Sequence, residues 1–178
     1  RTIGYMPQKS EGTATTVFDA VLLGRKPYID WDAGERDLEI VASALRRLGL
    51  EDYAMRPTAE LSGGELQKVI IARALAQEPR ILLLDEPVSH LDMKNQFETM
   101  VLLKNISHEL NLTVIVVLHD LTTAMRFCDR FVLLRDGHVH AVGGREVITP
   151  DVIREVYHIQ AAVHNLDGIP VVVVDNPV

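Results

Sequence analysis

Three short groups of residues have the types and spacing needed for phosphate chemistry. Ile81-Leu82-Leu83-Leu84 is a continuous apolar run that ends in two carboxylates, Asp85 and Glu86. Parallel strands place ligand groups at their carboxyl ends. An Asp there helps hold Mg2+ against phosphate oxygens, and a neighbouring Glu accepts a hydrogen bond from an attacking water. The same run also describes a strand that ends in two solvated acids. In Leu61-Ser62-Gly63-Gly64-Glu65, two glycines leave backbone N–H groups bare at the start of a helix, where the helix dipole favours an anion. The Ser62 hydroxyl adds a donor, although a plain helix cap has the same residues. His119 follows the apolar Val114-Ile115-Val116-Val117-Leu118, and by itself suits a structural hydrogen bond as well as a phosphate contact.

These groups need a scaffold, and the hydrophobic pattern supplies one. Thr2 to Met6 reads as a short strand, followed by a polar loop from Lys9 to Ala14. A short helix over Val17 to Leu23 is expected to stop at Gly24, and Lys26 to Gly34 reads as a loop. Leu38, Val41, Ala42, Leu45 and Leu48 recur at helical spacing, with Gly49 as the C-terminal stop. Ser62 and Glu65 form an S-x-x-E capping box. The helix it opens, Leu66 to Ala76, is apolar nearly all round and is expected to be deeply buried until Pro79 ends it. Ile81 to Leu84 suits a strand covered on both faces.

A helix from Asp92 aligns Met93, Phe97, Met100, Leu103, Ile106 and Leu110 on one stripe, and Thr113 to Leu118 reads as a second buried strand. A short helix opened by Asp120 follows. Asp136-Gly137 and Asp167-Gly168 mark two hairpins, and Thr149-Pro150 caps a helix between them. Strands alternating with helices argue for an α/β layer fold with parallel central strands.

Composition narrows the functions. The 178 residues carry 18 Lys and Arg against 25 Asp and Glu, a net charge of −7, which argues against broad attraction to nucleic acid or anionic membrane. Ordinary charge content and 47% hydrophobic residues exclude a disordered chain. The single cysteine, Cys128, forms no internal disulfide or zinc cluster, and a reducing compartment is the simpler expectation. No apolar stretch approaches the roughly 20 residues of a membrane helix.

Taken together, the motifs resemble those of the ATP-binding cassette (ABC) ATPases. Leu61 to Glu65, continuing through Gln67-Lys68-Val69 and Ala72-Arg73-Ala74-Leu75, resembles their signature motif. Ile81 to Pro87 resembles the Walker B strand with its catalytic Glu, and Ser89-His90-Leu91-Asp92 resembles the D-loop. His119 resembles the switch histidine, and Gln8 after Tyr5-Met6-Pro7 the Q-loop glutamine. Five motifs in the family's order and approximate spacing are far more specific than any one of them. Val17 to Tyr28, and Val147 through Tyr157 to Val172, are similar to importers of iron–siderophore complexes, haem and cobalamin.

The resemblance implies a P-loop NTPase-like α/β core with a helical signature subdomain. It implies one incomplete domain over residues 1–178, with about 9–78 as the helical subdomain and 1–8 and 79–178 as the rest of the core. Two subunits would meet head to tail around ATP and Mg2+, working with transmembrane permease subunits on the inner face of the cell membrane. Ser62, Gly63, Gly64 and Glu65 would form the signature turn that holds the γ-phosphate of nucleotide on the partner. Asp85 would order the Mg2+ shell, Glu86 would polarise the hydrolytic water, and Gln8 would link metal and water to the coupling surface. His119 would contact the γ-phosphate, and Asp92 would cross the dimer interface.

The sequence departs from the family in one large respect, since it contains no G-x-x-x-x-G-K-[ST] run. In the family that phosphate cradle lies upstream of the Q-loop, and here the chain opens at Arg1 with the strand before Gln8. The expectation is therefore that a preceding segment carries it, and that these residues alone bind MgATP weakly and are inactive. Two other functions fit parts of the pattern: a non-transport ABC ATPase of DNA repair or translation, and a non-catalytic permease-docking module. The 53 residues between Gln8 and Ser62 leave no room for the coiled coils of the repair class, and no second cassette or charged linker suggests the translation class.

Four further features read more plainly. His138 and His140 share a strand face, where exposed hairpin histidines are commoner than a metal site. Met93 and Met100 read as core. Glu35-Arg36-Asp37 reads as a solvated face. Tyr28 and Trp31 suit either permease docking or local packing.

Overall fold

The computed structural model describes residues 2–7 and 12–177, with side chains described through Asp175. Contacts divide the chain into two units, 1–117 and 118–178.

In the first unit, β1 (Ile3–Met6), β2 (Ile81–Asp85) and β3 (Thr113–Val117) form a parallel sheet in the order β1-β2-β3. The register sets Tyr5 beside Leu83 and Leu83 beside Ile115, and pairs Asp85 with Val117. Parallel neighbours require crossovers. The β2-to-β3 crossover is α4 (Met93–Glu109), whose N-terminus is capped by the Asp92 carboxylate accepting from the Asn95 N–H. Between β1 and β2 lie α1 (Val17–Leu22), α2 (Glu35–Arg47) and α3 (Gly63–Leu75), which pack on one another, with α3 also against β1 and α4. Val17, Val21, Val41, Leu45, Val69 and Ile71 are buried among them, and Leu82 and Leu84 are buried on β2.

The second unit begins at Leu118. α5 (Leu121–Phe127) leads to the hairpin β4 (Phe131–Arg135) and β5 (His138–Gly143). α6 (Pro150–Tyr157) then leads to the hairpin β6 (Ile159–Leu166) and β7 (Ile169–Pro177). Both Asp-Gly turns have positive φ at both residues, as a two-residue hairpin loop requires: 49° and 75° at Asp136-Gly137, 52° and 83° at Asp167-Gly168. Met125, Phe131, Leu133, Ile148, Ile153 and Ala161 make the core of this unit.

The α/β class, the parallel strands and both hairpins agree with the sequence reading, and five local expectations need correction. β2 is buried on one face only: Leu82 and Leu84 point into the core, while Ile81, Leu83 and Asp85 are partly open. β3 is not a buried strand, because Thr113, Ile115 and Val117 are exposed in alternation. Apolar runs of this kind do not reveal how many faces neighbours cover. Met93 is 86% exposed rather than core, and Phe97 and Leu110 are also exposed, since only the middle of the α4 stripe, at Met100, Leu103 and Ile106, is buried.

Gly24 does not stop α1, because the chain continues into a 3-10 turn over Leu23–Arg25. A Cβ on Gly24 would lie 2.1 Å from the Arg73 carbonyl oxygen, so glycine is needed there for close approach to α3. Asp37 is not simply solvated, since it accepts a 2.9 Å hydrogen bond from the Arg25 guanidinium, itself only 3% exposed. Arg25 also donates to Ala76 O (2.8 Å) and Glu78 (2.9 Å) and lies 4.1 Å from the Tyr28 ring centroid. Tyr28 donates to Gln77 O at 2.7 Å and so has a packing role, whereas Trp31 is 100% exposed.

Candidate functional site

The residues that could act on phosphate gather on the ends of three elements in the first unit. Ser62 is the N-cap of α3, and the expected capping box is present. Glu65 accepts from both the Ser62 N–H and its hydroxyl at 2.8 Å, while the Glu65 N–H donates to Ser62 Oγ at 3.4 Å. These bonds, with the backbone donor first, hold the Glu65 carboxyl below its ordinary value. The Tyr53 hydroxyl also donates to Glu65, which raises the Tyr53 pKa. Tyr53 is a support that motif reading missed, because nothing in its spacing connects it to Ser62. Ser62 and Gly63 are exposed. The first N–H groups of a helix have no acceptor within it, so Gly63 and Gly64 present donors beside the Ser62 oxygen.

Asp85 ends β2, and the chain then turns sharply. Glu86 has φ of 48°, a left-handed conformation that is costly for a residue with a side chain and often marks functional sites. The turn is held by the Ser89 N–H and hydroxyl, which donate to Glu86 O at 3.3 and 3.2 Å, and by the Leu91 N–H, which donates to Val88 O. It leads into Asp92, whose carboxyl is held below its ordinary value by the backbone and then the side-chain hydrogen bond from Asn95. At the same end of the sheet, where Met6 pairs with Leu84, the Gln67 amide on α3 reaches Met6 Sδ on β1 at 3.4 Å.

The structure brings Gly63 and Gly64 against Leu91 and Asn95, on either side of Asp92. A Cβ on Gly63 would be 3.7 Å from Leu91, and one on Gly64 would be 2.5 Å from Asn95 Oδ1. Asp85 and Glu86 stand together at the end of β2. His119 belongs to the second unit, exposed and one residue before Asp120, which caps α5. Gln8 lies outside the described residues. His140 Nε2 is 3.1 Å from Glu155, an ion-pair geometry tying β5 to α6.

Among the described residues, no three His, Cys, Asp or Glu side chains converge as a metal cage. Asp85 and Glu86 are two adjacent carboxylates at a strand end, a donor set that fits a Mg2+ held mainly by phosphate and water. The helix-start N–H groups at exposed Gly63 and buried Gly64, beside the exposed Ser62, suit an anionic phosphate. No helix among the described residues is long and apolar enough to cross a membrane.

Comparison with known proteins identifies the family. The ABC transporter family model matches residues 1–89. An ABC transporter ATP-binding protein of Methanocaldococcus jannaschii is 59% identical over 96% of this chain and 67% of its own length. The iron(3+)-hydroxamate import ATP-binding protein of Bacillus subtilis is 38% identical over 90% of this chain and 61% of its own. A solved metal-chelate type ABC transporter, in an inward-facing conformation, superposes with a TM-score of 0.88 at 29% identity, covering 99% of this chain and 72% of that one. The chain belongs to the ABC transporter family and has the mixed α/β fold of its ATP-binding cassettes. It spans about two thirds or less of the length of these two relatives.

Proposed function

We propose that these residues are part of the ATP-hydrolysing, energy-coupling subunit of an ABC importer, with cargo of the iron–siderophore, haem or cobalamin class. The observation that supports this reading is the Ser62-Gly63-Gly64 helix start, with Gly63 and Gly64 packed against Leu91 and Asn95 on either side of Asp92, and Asp85 and Glu86 at the end of β2. The cargo class is supported by the iron(3+)-hydroxamate relative and the metal-chelate type structure.

In this reading the subunit works as a head-to-tail pair beneath two permease subunits, peripheral to the inner face of the cell membrane. Its helical subdomain would span about residues 9–78. Ser62, Gly63 and Gly64 would hold the γ-phosphate of nucleotide on the facing subunit, with the Ser62–Glu65 capping box keeping their turn in place. Asp85 would help hold the Mg2+ that accompanies ATP, and Gln8 is assigned to the same ion. Glu86 would orient and polarise the attacking water, and His119 would contact the γ-phosphate. When bound, MgATP supplies the phosphoryl group and the cation that offsets its charge; the protein's part is positioning and electrostatic stabilisation. The 178 residues lack a G-x-x-x-x-G-K-[ST] cradle, so by themselves they hold nucleotide weakly and do not turn it over.

The test is Glu86→Gln in the whole protein. Steady-state ATP hydrolysis should fall by about 10²-fold or more, while nucleotide-driven dimerisation persists. Turnover near wild type would overturn the role given to Glu86.

A further inference from the structure

Gly64 is buried, and the space its missing side chain leaves is filled by a particular group. The point where a Cβ would sit lies 2.5 Å from Asn95 Oδ1 and 2.8 Å from Asn95 Cγ. The Asn95 amide is held from its other side, with Nδ2 donating to Asp92 Oδ2 at 2.7 Å. The Asn95 backbone N–H donates to Asp92 Oδ1 at 2.9 Å. A single side chain thus touches the glycine of one motif and grips the carboxylate of another. The Leu91 carbonyl beside it is fixed by Gln96 Nε2 at 2.8 Å, and the Leu91 side chain meets the Gly63 position.

We propose that Asn95 is a positioning residue that locks the Leu91–Asp92 turn to the Ser62–Gly64 turn, so that both face the partner subunit as one edge. The proposal rests on the function given above. A carboxylate offers about four lone-pair sites, so Asp92 can accept from a facing subunit without releasing Asn95. A displacement of Asp92 then moves the amide packed on Gly64, and with it the donors at Gly63 and Gly64. The side chain must be short, planar and a donor. Asp at this position would set a second carboxylate against Asp92, and Ala would leave the Gly64 contact empty.

Two measurements test this. In the chain itself, Asn95→Ala should speed amide exchange at Gly63 and Gly64 about fivefold relative to the buried amides of α2, and Gly64→Ala with Asn95→Ala should be non-additive, the second change relieving the first. Asn95→Ser, a small polar residue suited to a first helical turn, gives the same exchange reading should Asn95→Ala not fold. Unchanged exchange in the variant that folds, or strict additivity in the pair, would overturn the proposal. In the whole protein carrying Glu86→Gln, Asn95→Ala should raise the MgATP concentration for half-maximal dimerisation about tenfold by analytical ultracentrifugation. An unchanged concentration would also overturn it. If the Glu86→Gln parent does not dimerise at all, the proposed function falls, and the exchange and additivity results still decide Asn95.

Discussion

Glu65 shows how a residue chosen for its spacing acquires a measurable property from its partners. Its carboxylate accepts from Ser62 twice and from Tyr53 once, and its pKa is depressed. A depressed carboxyl contributes stability above the ordinary glutamate value of about 4.3, and that contribution is lost as pH falls through the lower folded value. The advantage of the wild type over Glu65→Gln should therefore be level above about pH 5 and shrink in acid. Urea midpoints at a series of pH values would check this, and a difference independent of pH would rule it out. Asp92 and Asp37 also have lowered values, but they titrate in both proteins and cancel in the comparison. Ser62 and Glu65 were legible from the S-x-x-E spacing alone, because a capping box is local. Tyr53 and Asn95 were not, because each reaches its partner across a fold-dependent gap.

At the scale of elements, α3 is the piece on which the site depends. Its first turn carries the N–H groups proposed to meet phosphate, its apolar body is buried, and its last turns are gripped from outside. Gly24 packs against the Arg73 carbonyl, and the Arg25 guanidinium ties Ala76 O and Glu78 to Asp37 on α2. A methyl at Gly24 cannot be accommodated by rotating a side chain, because the atom it meets is backbone. Gly24→Ala should lower stability by about 1–3 kcal/mol or more by chemical denaturation. A midpoint equal to wild type would show that α1 and α3 can separate at no cost. Helix periodicity located α3, its cap and its end at Pro79. It could not show that Gly24 and Arg25 are interfacial, since a glycine after a helix reads first as a terminator.

For the molecule as a whole, the open face of the β1-β2-β3 sheet sets the behaviour in solution. Tyr5 (51% exposed), Leu83 and Ile115 (49% exposed) form a row across the three strands, flanked by exposed Ile3 and Val117. Apolar patches of this kind favour association. Light scattering over a dilution series should show dimers or larger species, and Tyr5→Lys with Ile115→Lys should return the chain to monomer. A monomer at all concentrations would refute this reading of the face.

The amino-acid sequence by itself determined the element order, both hairpin turns, the α3 cap and the five family motifs, because each is written in local backbone preference or in short fixed spacing. Tertiary structure alone decided which face of each apolar strand is covered, why Gly24 is glycine, and that Asn95 joins the Gly64 and Asp92 turns. These depend on contacts between segments far apart in the chain, and hydrophobic pattern records that a residue can be buried without recording what buries it.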